Sequence, residues 1–158
     1  MGSRHPSIAP FEAFKTKDSH IIIAAGNDKL FENLCNFLKI SEVSKDSKFD
    51  TNSKRSEKMD KLKIILENKL KEKTTSEWIK GMEELKIPCG PIFNIKEAVE
   101  NPQVKERNMI VKSFHKVVGE FRTAGNPIKM STYNDSVRRG DIPDLDEHRD
   151  KIIKEFCN

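Results

Sequence analysis

The apolar pattern near the start of the chain predicts a β-hairpin over residues 10–26. Apolar residues precede a polar stretch at residues 15–20, and an apolar run at residues 21–25 follows it. Two apolar segments joined by a short polar turn are typical of paired antiparallel strands. We therefore expect both segments to form strands of one small sheet.

A helix is predicted directly after this hairpin. Gly26 breaks the second strand, and Asn27 or Asp28 can accept the free N–H groups at a helix start. Apolar residues then recur every three or four positions over residues 30–38, which places them on one helical face. The next stretch, residues 41–56, is mostly polar, and we expect it to be a loop with short turns.

Two further helices are predicted in the middle of the chain. Apolar residues over residues 57–72 again follow helical spacing. The third helix starts at Thr74 and Glu77, whose spacing fits a capping box, in which each side chain bonds the other residue's backbone N–H. This helix must stop before Pro88, because proline cannot continue it.

The second half combines short helices and strands. Two prolines and a glycine within residues 87–92 predict an extended connector, and Asn94 with Glu97 offers another capping box. Alternating residues over 109–115 and 120–123 predict a second pair of strands. A last short helix carries three apolar residues, Ile152, Ile153 and Phe156. The predicted fold class is α+β, with a small antiparallel sheet and several helices.

Composition narrows the class of protein. The 158 residues suit one compact domain, and no apolar run approaches the ~20 residues that a membrane span needs. The net charge of +4 comes entirely from residues 45–73, with ten Lys or Arg against six Asp or Glu. Such a segment could bind nucleic acid, but positive and negative charges alternate and no stacking aromatic residues lie between them. A solvated helix face is therefore the preferred interpretation.

The cysteines and histidines do not indicate a disulfide framework, a catalytic centre or a metal site. Three cysteines more than fifty residues apart form neither a disulfide framework nor a metal-binding CxxC pair: Cys35, Cys89 and Cys157. They fit a reducing compartment, so we expect the cytoplasm, or the mitochondrial matrix if a transit peptide has been removed. The four histidines lack a nucleophile or metal-ligand setting, and structural roles are favoured for His5, His20, His115 and His148. No metal site is predicted.

One local feature has mechanistic promise. The small residues Ala24, Ala25 and Gly26 end the second strand, and Asn27 precedes a helix. Backbone N–H groups left uncovered there can meet an anion or a thioester oxygen. An ordinary tight turn between strand and helix is the alternative, and the residues alone favour it.

Read as a whole, the sequence resembles the family III CoA-transferases, which include formyl-CoA, carnitine and succinate–hydroxymethylglutarate (glutarate) enzymes. The matching segments run in order along nearly the whole chain: residues 3–18 and 21–27, Phe49, Thr51, Asn52 and Arg55, residues 74–78, 87–92 and Asn94, residues 101–104, His115 and Gly119, residues 127–131 and residues 143–148. Agreement at so many ordered places is more specific than any single motif here.

This resemblance implies a particular architecture. Such enzymes combine a large Rossmann-like lobe that binds CoA, a small α+β lobe and a tail that returns to the large lobe, and two chains interlock as a homodimer. It implies that residues 1–130 are the small lobe and residues 131–158 the tail. The nucleophilic aspartate belongs to the large lobe, so no catalytic residue is assigned here, and we expect this chain alone to be inactive.

The resemblance also implies what the site binds. CoA passes from an acyl-CoA to a carboxylic acid, so the coenzyme A thioester is a substrate, and no tightly bound cofactor is expected. The family's active-site cover loop matches Ala24, Ala25, Gly26 and Asn27, and its single glycine argues against wide loop motion. A non-catalytic module working with a separately encoded catalytic lobe is the alternative, as is a nucleic-acid module acting through residues 45–73. Related racemases share the fold but use a proton-transfer pair in the large lobe.

Overall fold

The computed structural model describes residues 2–157, so Met1 and Asn158, the outermost residues of the two predicted domains, lie outside the described residues. The chain divides into two compact units, Met1–Ile92 (unit 1) and Phe93–Asn158 (unit 2). The expectation of one compact domain is therefore wrong. The reason lies in the distribution of apolar residues, because nearly the whole buried core belongs to unit 1. The division at residue 130 concerns lobes of a larger enzyme and stays a prediction.

Unit 1 contains a three-stranded antiparallel sheet in the order β1-β2-β3, accompanied by helices. Its elements, in chain order, are β1 (Phe11–Lys15), β2 (His20–Ala24), α1 (Asp28–Phe37), α2 (Ser41–Lys45), α3 (Asn52–Glu57), α4 (Met59–Leu70), α5 (Thr75–Glu84) and β3 (Cys89–Pro91). Together with unit 2, this arrangement confirms the α+β class.

The predicted hairpin is present. Strands β1 and β2 pair from Phe11 opposite Ala24 to Lys15 opposite His20. The segment over residues 87–92 is extended as predicted, but it is more than a connector, because β3 pairs with β2 and places Gly90 opposite Ile22. Proline is tolerated there because β3 is an edge strand, where a missing N–H costs the sheet little.

The predicted caps of the helices in unit 1 are confirmed, whereas the prediction for the polar stretch of residues 41–56 is wrong. Asn27 caps α1 by accepting the N–H of Leu30, and both bonds of the Thr74–Glu77 capping box form at α5. The loop expected over residues 41–56 instead contains α2 and the start of α3. A Thr51 cap starts α3, and buried anchors rather than an apolar stripe hold both short helices.

The core of unit 1 fills the space between the sheet and the helices. Its fully buried side chains include Phe14, Ile21 and Ile23 of the sheet together with Leu34 of α1 and Leu66 of α4. Alternate residues of β1 and β2 point into this core, as the period of a half-buried strand requires.

One aromatic residue of the core also carries a polar group. The indole N–H of Trp78 donates a 2.7 Å hydrogen bond to the carbonyl of Leu70, and the Phe37 ring meets Trp78 edge to face. This bond lets Trp78 lie buried without leaving its N–H unpaired.

The outer side of β1 is occupied by hydrogen-bond partners from outside the sheet. The N–H of Ala13 donates to the Ser3 hydroxyl, and the carbonyl of Ala13 accepts from Lys63. The N–H of Lys15 donates to the Glu67 carboxylate at 3.0 Å, and the carbonyl of Phe11 accepts from His5 N–H. Four backbone polar groups on that side are thus satisfied without another strand.

Unit 2 contains a two-stranded sheet and short helices. Its elements are α6 (Ile95–Glu100), α7 (Pro102–Glu106), β4 (Ile110–His115), β5 (Gly119–Ala124) and α8 (Arg149–Phe156). The Asn94–Glu97 capping box and the hairpin of β4 with β5 are confirmed. Helix α7 was not predicted, and it begins where Asn101 accepts the N–H of Gln103, with Pro102 in the first turn. No helix in the described part of the chain is long and apolar enough to cross a membrane.

Candidate functional site

The loop singled out from the sequence lies where β2 passes into α1. Ala24 is the last residue of β2, and its N–H donates to the carbonyl of Pro88 at 2.9 Å. Ala25 is buried in the core, and its N–H donates to the carbonyl of Pro10. The expectation of uncovered N–H groups is therefore wrong for these two alanines, because neighbouring segments pair with them.

The next two residues behave differently. Within residues 2–157, the N–H groups of Gly26 and Asn27 have no hydrogen-bond acceptor. The Asn27 side chain is committed to α1, since its Oδ1 accepts the N–H of Leu30 at 2.8 Å. Of the predicted loop, Gly26 and Asn27 thus keep backbone donors for a group outside the described chain.

Gly26 is required by a close approach of two chain segments. A Cβ at Gly26 would lie 2.0 Å from Cγ2 of Ile8, a distance at which one of them must move. The segment carrying Ile8 is itself fixed, because Asn52 accepts the N–H of Ala9 and donates to the carbonyl of Ser7. The absence of a side chain at Gly26 therefore lets the loop and this segment pack together.

A cleft of about 460 Å³ opens beside this contact. It is lined by Ile8, Phe11, Ala24, Gly26, Asn27, Leu30 and Asn52. Three of the four predicted loop residues thus line one cleft, whereas Ala25 belongs to the core. The lining is apolar apart from two asparagines whose side chains are hydrogen-bonded within the fold. The cleft therefore offers an apolar shelf with backbone donors at one edge.

Arg55 holds this loop from behind. Its side chain is 0% exposed, and its guanidinium donates to the carbonyls of Ala9, Phe49 and Gly26 at 2.8, 3.0 and 2.8 Å. A fourth bond of 2.8 Å reaches the carboxylate of Asp28. One buried cation therefore ties the segments of Ala9, Phe49 and Gly26 to the start of α1.

The charge of Arg55 is balanced within this cluster. Asp28 supplies a carboxylate that is itself mostly exposed, and the Phe31 ring lies 4.5 Å below the guanidinium. A buried arginine needs a partner charge and satisfied donors, and both conditions are met. Sequence reasoning noted Arg55 as part of a resemblance and missed this role, although a lone arginine between Phe49 and Met59 in a polar stretch was the available signal.

The other candidate residues take structural positions. The Nδ1 atom of His5 accepts the N–H groups of Ser7 and Ile8, and its ring stacks on Phe11 at 5.3 Å. His115 Nδ1 likewise accepts the backbone N–H groups of its hairpin turn. Burial raises the pKa of the Cys35 thiol to about 12, so it stays protonated and unreactive near neutral pH.

Neither metal nor nucleic-acid chemistry gains support. Among residues 2–157, no three His, Cys, Asp or Glu side chains lie close enough together to hold a metal ion. Within the basic stretch of residues 45–73, five cations already pair with carboxylates: Lys48, Lys54, Arg55, Lys63 and Lys69. Because these cations are paired within the fold, residues 45–73 offer a weak binding surface for the phosphate backbone of a nucleic acid.

Comparison with known proteins gives consistent matches. The model of CoA-transferase family III matches residues 1–149. The chain is 36% identical over 157 residues to an acetyl-CoA:oxalate CoA-transferase of Acetobacter aceti, covering 99% of this chain and 39% of that protein. It is 35% identical over 154 residues to a human succinyl-CoA:glutarate CoA-transferase, covering 98% of this chain and 35% of that protein.

A solved structure supports the same grouping. A CAIB/BAIF family protein from Brucella suis superposes with a TM-score of 0.76 at 32% identity, covering 98% of this chain and 39% of that one. The chain thus spans between 35% and 39% of the length of these relatives. The similarity of the chain to these relatives extends to both sequence and fold.

Proposed function

The chain belongs to CoA-transferase family III, and on that premise we propose that it supplies the small lobe of an enzyme that moves CoA from an acyl-CoA to a carboxylic acid. Residues 1–130 form that lobe, and residues 131–158 form the tail that docks on a large lobe. Because the named relatives act on oxalate and on glutarate, we propose a dicarboxylic acid as the acceptor.

The observation that carries this proposal is the loop of Ala24, Ala25, Gly26 and Asn27. Its free N–H groups lie beside an apolar cleft, and Arg55 fixes its backbone from behind. A loop of this kind suits the cover over a reactive thioester or anhydride, because it excludes water and offers donors to a developing oxyanion. The reacting aspartate would come from the large lobe.

The fixed geometry bears on how far this loop can move. The N–H of Ala25 donates to the carbonyl of Pro10, and the carbonyl of Gly26 accepts from Arg55, so the middle of the short loop is held. We propose that this cover stays largely in place during turnover, which agrees with its single glycine. The coenzyme A thioester acts as a substrate and not as a resident cofactor.

The proposed docking of the tail is supported by α8. Its apolar residues Ile152, Ile153 and Phe156 are exposed, so the helix presents an unused apolar surface. Exposed apolar patches of this kind mark interaction sites. We propose that this surface meets the large lobe within an interlocked homodimer.

Two assays test the proposal. The purified chain, incubated with succinyl-CoA and a panel of dicarboxylic acids, should form no new acyl-CoA by mass spectrometry, and turnover above background would contradict its assignment as a lobe without the nucleophile. The chain should then replace the matching segment of the Acetobacter aceti enzyme and sustain acetyl-CoA:oxalate exchange. A folded dimeric chimera without exchange, alongside an active parent enzyme, counts against the proposed function.

A further inference from the structure

A second cleft lies at the opposite end of the β1–β2 hairpin from the cover loop. It is an open surface cleft of about 410 Å³ around the turn that joins the two strands. Lys15, Lys17 and His20 of the hairpin and Lys71 after α4 line it, together with Ser19 and Asp18. Four groups that are cationic or can become so thus surround one concave surface.

The three ammonium groups are free of carboxylate partners. Within residues 2–157, no ion pair involves Lys15, Lys17 or Lys71, although Lys63 and Lys69 of the neighbouring α4 are both paired. Unpaired cations around a concavity raise the local positive potential, because low-dielectric walls focus the field. The Lys71 side chain also follows the C-terminal end of α4, where a cation is favoured.

The carboxylates around this turn are committed to other donors. Asp18 accepts the N–H and hydroxyl of Thr75 and the hydroxyl of Thr16 through one oxygen. Glu67 accepts the N–H of Lys15, and Glu77 accepts from Thr74 in the α5 capping box. Each of these bonds occupies one carboxylate oxygen, and within residues 2–157 none of the three acids forms an ion pair with Lys15, Lys17 or Lys71.

The turn itself is fixed before any ligand arrives. The hydroxyls of Thr16 and Thr75 lie 2.7 Å apart in a buried position, and the N–H of Lys17 donates to the carbonyl of Lys73 at 3.1 Å. The hairpin turn is therefore tied to the start of α5. A site on it needs little backbone ordering when a ligand binds, which favours affinity.

From this arrangement we propose that the cleft of Lys15, Lys17, His20 and Lys71 binds a diphosphate group. Lysine ammonium groups bind phosphate as point charges without demanding one geometry. A single carboxylate would leave most of the three positive charges unmatched, whereas a diphosphate carries enough charge and length to meet several of them. The site is separate from the cover loop, and it does not rest on the proposed transferase function.

The test is a titration of the purified 158-residue chain with sodium pyrophosphate at about 0.15 M ionic strength. Backbone amide resonances of residues 15–20 and ring resonances of His20 should shift and saturate. Lys17→Gln and Lys71→Gln should each weaken binding about two- to fivefold, the range of one exposed ion pair. The triple variant with Lys15→Gln should abolish the shifts.

Controls separate a site from general charge screening. Lys61→Gln removes an exposed lysine of the same helix α4 and should leave the affinity unchanged. Unchanged melting temperatures would show that the variants are folded. Equal shifts with sulfate at matched ionic strength, or shifts that persist in the triple variant, would overturn the proposal.

The source of the diphosphate is distinguished by one further ligand, coenzyme A. Tighter binding of coenzyme A than of pyrophosphate assigns the site to a nucleotide-linked diphosphate, and equal or weaker binding assigns it to free polyphosphate. Either result supports a diphosphate site. Neither measurement requires transferase activity, so a negative titration leaves the proposed function standing.

Discussion

Arg55 donates a hydrogen bond of 2.8 Å to the carbonyl oxygen of Gly26. The same guanidinium nitrogen reaches Asp28 at the start of α1, so the end of β2 and the start of the helix share one donor. The loop between them is thereby held by a side chain that is 29 residues away in sequence.

Replacing Arg55 by methionine should destabilise unit 1 by about 3–5 kcal/mol, the range for breaking a buried charged network. Three carbonyls and Asp28 would lose their common donor. Urea denaturation measures the loss, and hydrogen exchange at the N–H of Ala25, which donates to the carbonyl of Pro10, should accelerate with it. Lys54→Met is the matched control, because Lys54 makes an exposed pair with Asp50 and should cost at most about 1 kcal/mol. Similar costs for both variants would contradict the assigned role of Arg55.

Gly26→Ala should destabilise the protein by about 1–3 kcal/mol, the cost of overpacking, because its new methyl group would overlap Ile8. Ile8→Ala removes the overlapping atom. In the Ile8→Ala background, Gly26→Ala should therefore destabilise the protein much less than it does in the wild type. The matched control is Gly90→Ala, since nothing lies within 4 Å of a Cβ there. Urea unfolding of the wild type, the two single variants at residues 8 and 26 and their double variant gives the coupling energy. Strict additivity would contradict the close approach.

Asp18 should make stability depend on pH in the acid range. The N–H of Thr75 first, and then its hydroxyl and that of Thr16, hold the pKa of Asp18 below its ordinary value of 3.8. The folded protein therefore binds this proton less readily than the unfolded chain. The stabilisation is complete above that ordinary pKa and is lost as the pH falls through the lowered one.

The measurement is the melting temperature of the wild-type protein and Asp18→Asn between about pH 2 and pH 7. The difference in melting temperature between the two proteins should be largest near neutral pH and should become smaller in acid. Asp141→Asn is the control, because Asp141 is exposed and has no hydrogen-bond partner among residues 2–157. A constant gap across the range would show that Asp18 does not contribute as a carboxylate.

The thiols should react in the order of their exposure. Cys157 is exposed, whereas burial raises the pKa of Cys35 to about 12 and also raises the pKa of Cys89. A thiol reagent such as Ellman's reagent should therefore modify Cys157 first at pH 8, and Cys35 only in denaturant. Cys157→Ser should remove the fast phase. Fast labelling of Cys35 in the folded protein would contradict its burial.

Local signals in the sequence predicted much of the fold. The hairpin and the two capping boxes depend on neighbouring residues, and they form as expected at Thr74 and Asn94. The helices within residues 41–56 were missed because single buried anchors replace an apolar stripe. Strand β3 was missed because its prolines predict a connector, and only pairing with β2 makes it a strand.

The sequence singled out the loop of residues 24–27, but it did not predict which of the loop's N–H groups are paired. The sequence located Gly26 and Asn27, whereas the pairing of Ala24 with Pro88 and of Ala25 with Pro10 depends on distant segments meeting. The role of Arg55 has the same origin, since its acceptors are the carbonyls of Ala9, Phe49 and Gly26. Hydrogen bonds between remote segments leave no local pattern.

The hydrogen bonds along the outer side of β1 also limit how copies of this protein can associate. Isoleucine-rich strands such as β2 favour fibril growth when a neighbouring edge stays open to an incoming strand. Here Ser3, Lys63 and Glu67 already occupy the backbone groups that such a strand would need. At the other edge, β3 is three residues long and ends in Pro91. An incoming strand therefore meets occupied backbone groups at β1 and only a short edge that ends in proline at β3, so the sheet of unit 1 disfavours this route to aggregation.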